Sequence, residues 1–197
     1  MSTVPSHEIS RKILHLFSAI IPLGYLWIIS EKETMILLLG SLGLVAILLE
    51  ISRKKWSVVE TIFEKYFNTM LRSEELDGGM TGATWMLFGS TITIFLFPKE
   101  IAICAILFLC IGDSFAALIG QRFPYAKLGK KSGVGTLAGI ISSVVLIGLL
   151  PLSLKPVVLI FSATISMGIE LLPLPINDNL TIPISGALAL QFGATIL

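Results

Sequence analysis

The chain has 197 residues, of which 54% are hydrophobic and 14% charged, and its formal net charge is +1. Globular domains average about 25% charged residues, so this composition excludes a soluble domain and indicates one membrane domain over residues 1–197. Basic patches interleaved with aromatic residues do not occur, which excludes nucleic-acid binding.

Seven largely uncharged stretches follow one another along the chain, each close to the roughly 17–25 residues that cross a bilayer as a helix. They are Ile13–Ile29, Thr34–Leu49, Met80–Phe97, Ile101–Leu118, Gly133–Leu150, Pro156–Leu172 and Leu180–Leu197. The sequence therefore predicts an all-α, polytopic membrane protein with about seven transmembrane helices. The first stretch is expected to be a retained helix, since no small-residue cleavage site follows it.

The basic residues indicate an orientation. With the N-terminus in the cytoplasm, all of the 14 Lys and Arg residues except Lys32, Lys99 and Lys155 fall on the inner side. This is a strong positive-inside pattern. Most of the acids that end the apolar stretches fall on the same side, so a site open to the cytoplasm is expected.

The segment Arg53–Glu75 is periodic rather than uniformly apolar. Apolar residues from Val59 to Met70 recur at spacings of three and four, and charged residues fill the other face. This pattern predicts an amphipathic helix lying in the membrane interface. A helix packed on the inner surface of the protein itself is an equal alternative.

A basic, glycine-bearing loop precedes the fifth stretch. Two lysines, a hydroxyl and two glycines stand before a helix start, in the order Lys130-Lys131-Ser132-Gly133-Val134-Gly135-Thr136. Free N–H groups, the helix dipole and two ammonium groups make an anion site, which glycines let a phosphate approach closely. On spacing alone, a loop whose lysines only fix the orientation is slightly favoured.

Two carboxylates stand near the predicted inner ends of the helices. Asp113 lies within the fourth stretch, and Asp178 with Asn179 follows a link whose two prolines must interrupt the helix. Each Asp alone fits a solvated helix end equally well. Because both face the same basic loop, their oxygen atoms favour a Mg²⁺ site completed by phosphate and water.

The first helix carries polar residues on one face, Glu8, Arg11, Lys12 and His15, at spacings of three and four. Lys12 is expected to be a membrane-edge anchor. His15 is expected to hydrogen-bond a neighbouring helix, with the orientation of a hydroxyl substrate as the alternative. Glu50 and Glu170 are candidate partners for these bases.

Together these motifs resemble the CTP-dependent lipid kinases, the group of dolichol kinase, phytol kinase and CTP-dependent diacylglycerol kinase. The matching segments are Glu8-x-x-Arg11-Lys12-x-x-His15, Leu71-Arg72-x-x-Glu75 with Gly82-Ala83-Thr84, Ile111–Phe123, Lys131-Ser132-x-x-Gly135-Thr136 and Asp178–Pro183. The resemblance covers nearly the whole chain and implies transfer of a phosphoryl group from CTP, with Mg²⁺, to the hydroxyl of a membrane lipid alcohol.

With that resemblance, each residue has an expected role. The CTP phosphates are expected on Lys130, Lys131, Ser132, Gly133, Gly135 and Thr136, and Mg²⁺ on Asp113 and Asp178. Asp113, Asp178, Lys131 and His15 form the expected catalytic set, with Asp113 the first candidate for the base. His15, Arg72 and Asn179 are expected near the lipid hydroxyl.

Phosphatidate cytidylyltransferase, which forms a CDP-lipid, is the alternative, because it shares the Gly-Asp-x-x-Ala and Lys-Ser-x-x-Gly elements. Its longer C-terminal signature is missing from this chain. A small transporter is disfavoured, since transporters place polar residues near the midplane. The sequence does not identify the lipid, and it is compatible with a homo-oligomer. All of these expectations require the Gln121–Ser132 hairpin and the Pro173–Asn179 bend to meet on one side of the membrane.

Overall fold

The chain folds almost wholly into helices. A computed structural model describes residues 4–67, 71, 75, 78–129 and 131–197, and has 79% helix and 2% strand, which confirms the all-α prediction. In chain order the helices are α1 Ser6–Phe17, α2 Ile20–Trp27, α3 Lys32–Lys55, α4 Ser57–Phe67, α5 Gly82–Leu96, α6 Lys99–Arg122, α7 Gly133–Gly148, α8 Pro156–Leu171 and α9 Asp178–Ile196. Strands β1 (Lys127–Leu128) and β2 (Lys131–Ser132) pair antiparallel between α6 and α7.

Helix α6 is the centre of the fold. Residues 102–114 are all buried, and the helix contacts α1, α2, α5, α7, α8 and α9. Glycines bring two of these neighbours close: a Cβ on Gly139 would lie 2.8 Å from the Gly112 carbonyl oxygen, and one on Gly186 would lie 2.7 Å from the Phe108 ring. Small residues of this kind allow the close helix approach common in membrane bundles. Helix α3 lies further out and packs on α5 and α4.

The distribution of polarity is the reverse of that in a soluble domain. Large apolar side chains are exposed on the outer faces of α3, α7, α8 and α9, for example Leu37, Ile141 and Phe192. Hydroxyl side chains, in contrast, are buried inside: Ser90, Thr93, Ser143, Ser162 and Ser166 are each fully enclosed. Extensive exposed apolar surface marks a face that contacts apolar surroundings, and here it supports association with a membrane.

Two helices within the described residues are long and apolar enough to cross a membrane, α3 and α6. The sequence predicted about seven such spans. Helices α5, α7 and α8 are apolar but have 15 or 16 residues, so each is about 22–24 Å long, below the roughly 30 Å of a bilayer core. Helix boundaries set by capping and proline residues thus shorten several of the apolar stretches.

The first predicted stretch, Ile13–Ile29, is divided into two helices. Helix α1 ends at Phe17 and α2 begins at Ile20. Pro22 has no N–H group to donate back to the Ser18 carbonyl, which instead accepts from the Ile21 N–H at 2.9 Å. The break turns the chain beside α6.

The amphipathic prediction holds for a shorter segment than Arg53–Glu75. Helix α3 continues to Lys55, and α4 occupies Ser57–Phe67 with Val58, Ile62 and Tyr66 exposed. Phe63 is half-buried, and the Arg53 guanidinium lies 5.0 Å from the centre of its ring. This contact holds α4 against the end of α3. The predicted residue Met70 lies outside the described part of the chain.

Candidate functional site

The polar ends of several helices surround one cavity. Helix α1 contributes its second half, α5 and α9 their first turns, α3 its last turns and α6 its second half, and the volume is about 490 Å³. We call five of its charged and amide side chains the polar floor: Lys12, His15, Asp113, Asp178 and Asn179. The apolar wall consists of Leu14, Ile21, Ala46, Leu49, Phe63, Phe67, Leu71, Met86 and Leu87. We call the whole space the inner cavity.

Asp113 is placed by an irregular turn of α6. It ends a π-helical segment, Phe108–Asp113. Such segments are rare in proteins overall, and those that occur often lie at functional sites. Its Oδ2 accepts a hydrogen bond from Lys12 Nζ at 2.5 Å, and the two side chains are only 9% and 5% exposed. The Ser114 hydroxyl donates to the Cys110 and Lys12 carbonyls, at 2.7 and 3.4 Å. A buried ion pair therefore joins α1 to the central helix.

This pairing corrects the interpretation of Lys12 as a membrane-edge anchor. Lys12 is 4% exposed and points inward, because Asp113 supplies the opposite charge that a buried ammonium requires. The sequence pattern placed Lys12 and His15 on one helix face. It gave no indication that Asp113 faces them.

His15 lies beside the same carboxylate without completing a hydrogen bond. Its Nε2 is 3.2 Å from Asp113 Oδ2, yet among the described residues no hydrogen-bond partner is aligned with this buried nitrogen. His15 thus contacts the neighbouring helix α6, as predicted, with its Nε2 3.2 Å from Asp113 Oδ2 but not aligned with it. Its alternative role, orienting a hydroxyl group in the inner cavity, stays a prediction.

Lys131 brings the hairpin and the α8–α9 link together. Its Nζ is 2.9 Å from Asp178 Oδ2 and 3.4 Å from Glu170 Oε1, and it also donates to the Glu170 carbonyl. Burial by itself lowers the pKa of Lys131, but the charges of Glu170 and Asp178 outweigh it and hold the pKa above its ordinary value. The predicted convergence of the two loops is confirmed by this contact.

The start of α7 packs on α6. Ser132 caps the helix by accepting from the Gly135 N–H at 3.1 Å, and the Thr136 hydroxyl donates to the Ser132 carbonyl at 3.2 Å. A Cβ on Gly135 would collide with the Ala116 carbonyl of α6, and one on Gly133 would press on the Ala126 side chain. The structure thus explains these glycines by close packing, where the sequence analysis explained them by phosphate approach.

Residues 132–136 also stand apart from the inner cavity, whose described wall does not include them. Lys131 is their link to the polar floor through Asp178. Whether CTP phosphates bind Ser132, Gly133, Gly135 and Thr136 stays a prediction. Lys130 and Arg72, the two other predicted phosphate and substrate contacts, lie outside the described residues.

A second polar network was not foreseen from the sequence. Arg53 donates to Glu50 Oε2 at 2.6 Å and to the carbonyls of Glu75 and Gly79 at 2.9 and 2.6 Å. Glu50 is thus the partner of Arg53, and Glu170 that of Lys131, rather than of the bases on α1. The sequence contained a signal for the pair of Glu50 and Arg53, because oppositely charged residues three apart at the end of an apolar helix usually pair.

This network fixes the start of α5 at the edge of the inner cavity. Glu50 Oε1 accepts from the Thr81 N–H at 2.8 Å, and Glu75 Oε1 accepts from the Gly82 N–H at 2.9 Å. The Asn179 amide donates to the Gly82 carbonyl at 2.7 Å and so joins α9 to α5. Asn179, predicted near the substrate hydroxyl, therefore has a structural contact as well.

The donor set of the polar floor suits a magnesium–phosphate ligand. Asp113 and Asp178 both line the inner cavity, each with one carboxylate oxygen in an ion pair to a lysine. Mg²⁺ commonly uses one or two carboxylates together with water and substrate phosphates. In the described part of the chain no three His, Cys, Asp or Glu side chains gather to hold an ion by themselves. The two carboxylates fit Mg²⁺ that arrives with a phosphate.

One relative has been identified by sequence. An uncharacterized protein of Rickettsia prowazekii (strain Madrid E) is 30% identical over 190 residues, and the alignment covers 92% of each chain. The chain matches no family model, and no solved structure matches it.

Proposed function

The chain belongs to the same family as the Rickettsia prowazekii protein, and we propose that it is an integral membrane kinase that transfers a phosphoryl group from CTP to a membrane lipid alcohol. One observation carries the proposal. The inner cavity joins an apolar wall to a polar floor that holds two lysine-paired aspartates. A substrate with an apolar tail and a single hydroxyl matches this arrangement, with the tail on the wall and the hydroxyl at the floor.

The proposed topology is multi-pass, with about seven crossings and with the N-terminus and polar floor on the cytoplasmic side. The asymmetric placement of Lys and Arg supports the orientation. The exposed apolar faces of α3, α7, α8 and α9 support several lipid-facing helices. CTP would then reach the polar floor from the cytoplasm while the lipid alcohol stays in the bilayer.

The role proposed for each residue follows from its charge. Lys131, together with Lys130 and the start of α7, binds the CTP phosphates, and Asp113 and Asp178 hold Mg²⁺, which when bound neutralises phosphate charge. Phosphoryl transfer depends mainly on positioning and charge stabilisation, so cations around the phosphates supply much of the catalysis. His15 and Asn179 lie where the hydroxyl would be oriented.

The ion pair between Lys12 and Asp113 bears on which group accepts the proton of the lipid hydroxyl. A carboxylate oxygen that already accepts from a buried ammonium at 2.5 Å is a weaker proton acceptor than a free one. The role proposed for Asp113 is therefore that of a metal ligand first, with proton transfer to be assigned by experiment.

Phosphatidate cytidylyltransferase activity remains the alternative function, and the fate of the CTP phosphates distinguishes the two. Purified protein in lipid nanodiscs with Mg²⁺ receives CTP labelled on the γ-phosphate, with dolichol, phytol, geranylgeraniol, diacylglycerol or phosphatidate. Label in the lipid identifies the kinase. Label in pyrophosphate identifies the cytidylyltransferase, and label in neither product with any lipid would refute both.

Two variants connect activity to the polar floor. We expect Asp113→Asn and Lys131→Ala to reduce phosphoryl transfer by about 10²-fold or more, because each removes charge that the phosphates require. The matched controls are Glu100→Gln, at the opposite end of α6, and Lys127→Ala, an exposed lysine of the same hairpin. Rates are normalised to folded protein by size-exclusion chromatography. Full activity in both variants would place the site elsewhere.

A further inference from the structure

The inner cavity is polar at one end and apolar at the other. On α1 the polar floor lies at Lys12 and His15, α5 starts at the floor and α3 ends near it, so depth increases with residue number beyond His15 and along α5 and decreases with it on α3. The deepest wall residue on each of these segments is accordingly Ile21 on α1–α2, Ala46 on α3 and Leu87 on α5. The contact between Leu87 and Gly43 confirms that these helices meet at that depth, since a Cβ on Gly43 would lie 3.9 Å from Leu87 Cβ.

The depth follows from the path of the chain. From Lys12 to Ile21 the chain follows α1, passes the break at Ser18 and Ala19 and enters α2, so Ile21 lies beyond the end of α1. Over that length the wall changes from charged side chains to aliphatic ones. The inner cavity is thus a slot with a polar entrance for the reacting group and an apolar end.

Within the described part of the chain, exposed apolar side chains border the slot on the side between α1 and α3. Leu14 of α1 and Leu49 of α3 both line it, and they are 49% and 51% exposed. Phe63 and Phe67 of α4 also line it, where Arg53 holds α4 through the Phe63 ring. A long apolar chain can therefore enter from the bilayer side without passing the charged floor.

We propose, as an extension of the kinase function above, that the apolar end of this slot binds the part of the lipid tail nearest the hydroxyl, and that Ala46 determines which tails fit. The remainder of the tail leaves between α1 and α3 into the bilayer. Ala46 is the smallest side chain at the deep end, and it is partly buried. The enzyme then selects for bulk near the hydroxyl and tolerates differences in total tail length.

Filling the deep end tests this assignment. In Ala46→Trp, an indole occupies the space of the tail, and we expect a roughly ten-fold or greater rise in KM for a long-tail alcohol, which corresponds to about 1.4 kcal/mol or more of lost binding free energy. KM is expressed as mole fraction in the nanodisc. The KM for CTP and the kcat/KM for a short alcohol that ends before Ala46 stay unchanged. Leu44→Trp, on an outward-facing position of the same helix that is 58% exposed, is the control and leaves every constant unchanged.

A binding measurement separates this proposal from the kinase function. A long-chain alcohol with a diazirine a few carbons from its hydroxyl is photolysed in nanodiscs, and the labelled peptides are identified by mass spectrometry. Labelling concentrated on the segments around Ile21, Ala46 and Leu87, and abolished by Ala46→Trp, supports the tail site even if no phosphate is transferred from CTP. Labelling confined to exposed faces such as that of Leu44, or an Ala46→Trp variant that loses short and long substrates equally, overturns it.

Discussion

Removing the Lys12 ammonium should destabilise the protein strongly, and removing its partner as well should restore much of the loss. In Lys12→Met the side chain keeps a similar length but carries no charge, so Asp113 is left buried without its cation. The wild-type pair is 2.5 Å long, with side chains 5% and 9% exposed. The polar neighbour that Asp113 keeps in this variant is His15, whose Nε2 is 3.2 Å from Oδ2.

The size of the expected loss in the free energy of unfolding follows from the burial of this ion pair. Breaking a buried ion pair by removing one partner costs about 3–5 kcal/mol, whereas replacing both partners with uncharged residues is often close to neutral. We therefore expect Lys12→Met to lower the free energy of unfolding by about 3–5 kcal/mol. The double variant Lys12→Met/Asp113→Asn should recover at least about 2 kcal/mol of that loss, a coupling typical of residues in direct contact.

The assay is a denaturant titration of the two single variants, the double variant and the wild type in one detergent, followed by tryptophan fluorescence. Lys127→Met, an exposed lysine, serves as the control and should change the free energy of unfolding by less than about 0.5 kcal/mol. Strictly additive effects of the two single substitutions would show that Lys12 and Asp113 do not interact, and the description of the polar floor would then be wrong.

Two further substitutions test other parts of the site. Gly135→Ala should cost about 1–3 kcal/mol of unfolding free energy because its Cβ meets the Ala116 carbonyl, while Gly40→Ala, which has open space, should not destabilise; equal effects would contradict the packing of α7 on α6. Arg53→Lys should cost about 2–3 kcal/mol because one ammonium cannot replace three guanidinium bonds to Glu50, Glu75 and Gly79. Thermal unfolding that matches the wild type would show that this network is not structural.

Much of the fold could be predicted because the signals are local. Six of the seven apolar stretches coincide with a single helix each in the structure, and the prolines after Leu172 separate α8 from α9 as expected. The exception, Ile13–Ile29, has Pro22 in the first turn of α2, whereas Pro183 lies within the continuous helix α9. Hydropathy reports how apolar a segment is, whereas caps and prolines decide where its helix ends, and this is why the predicted spans are longer than several observed helices.

The sequence by itself determined which residues are apolar, where helices can form and which polar residues share a helix face, because these properties depend on neighbours along the chain. It also indicated that two distant loops meet. Only the tertiary structure decided the partners on different elements: Lys12 with Asp113, Glu50 with the Thr81 N–H, and Lys131 with Asp178. Helical periodicity orients a side chain around its own axis but carries no information about which other helix lies opposite. That choice depends on close packing around α6, where glycines set how near each helix can approach.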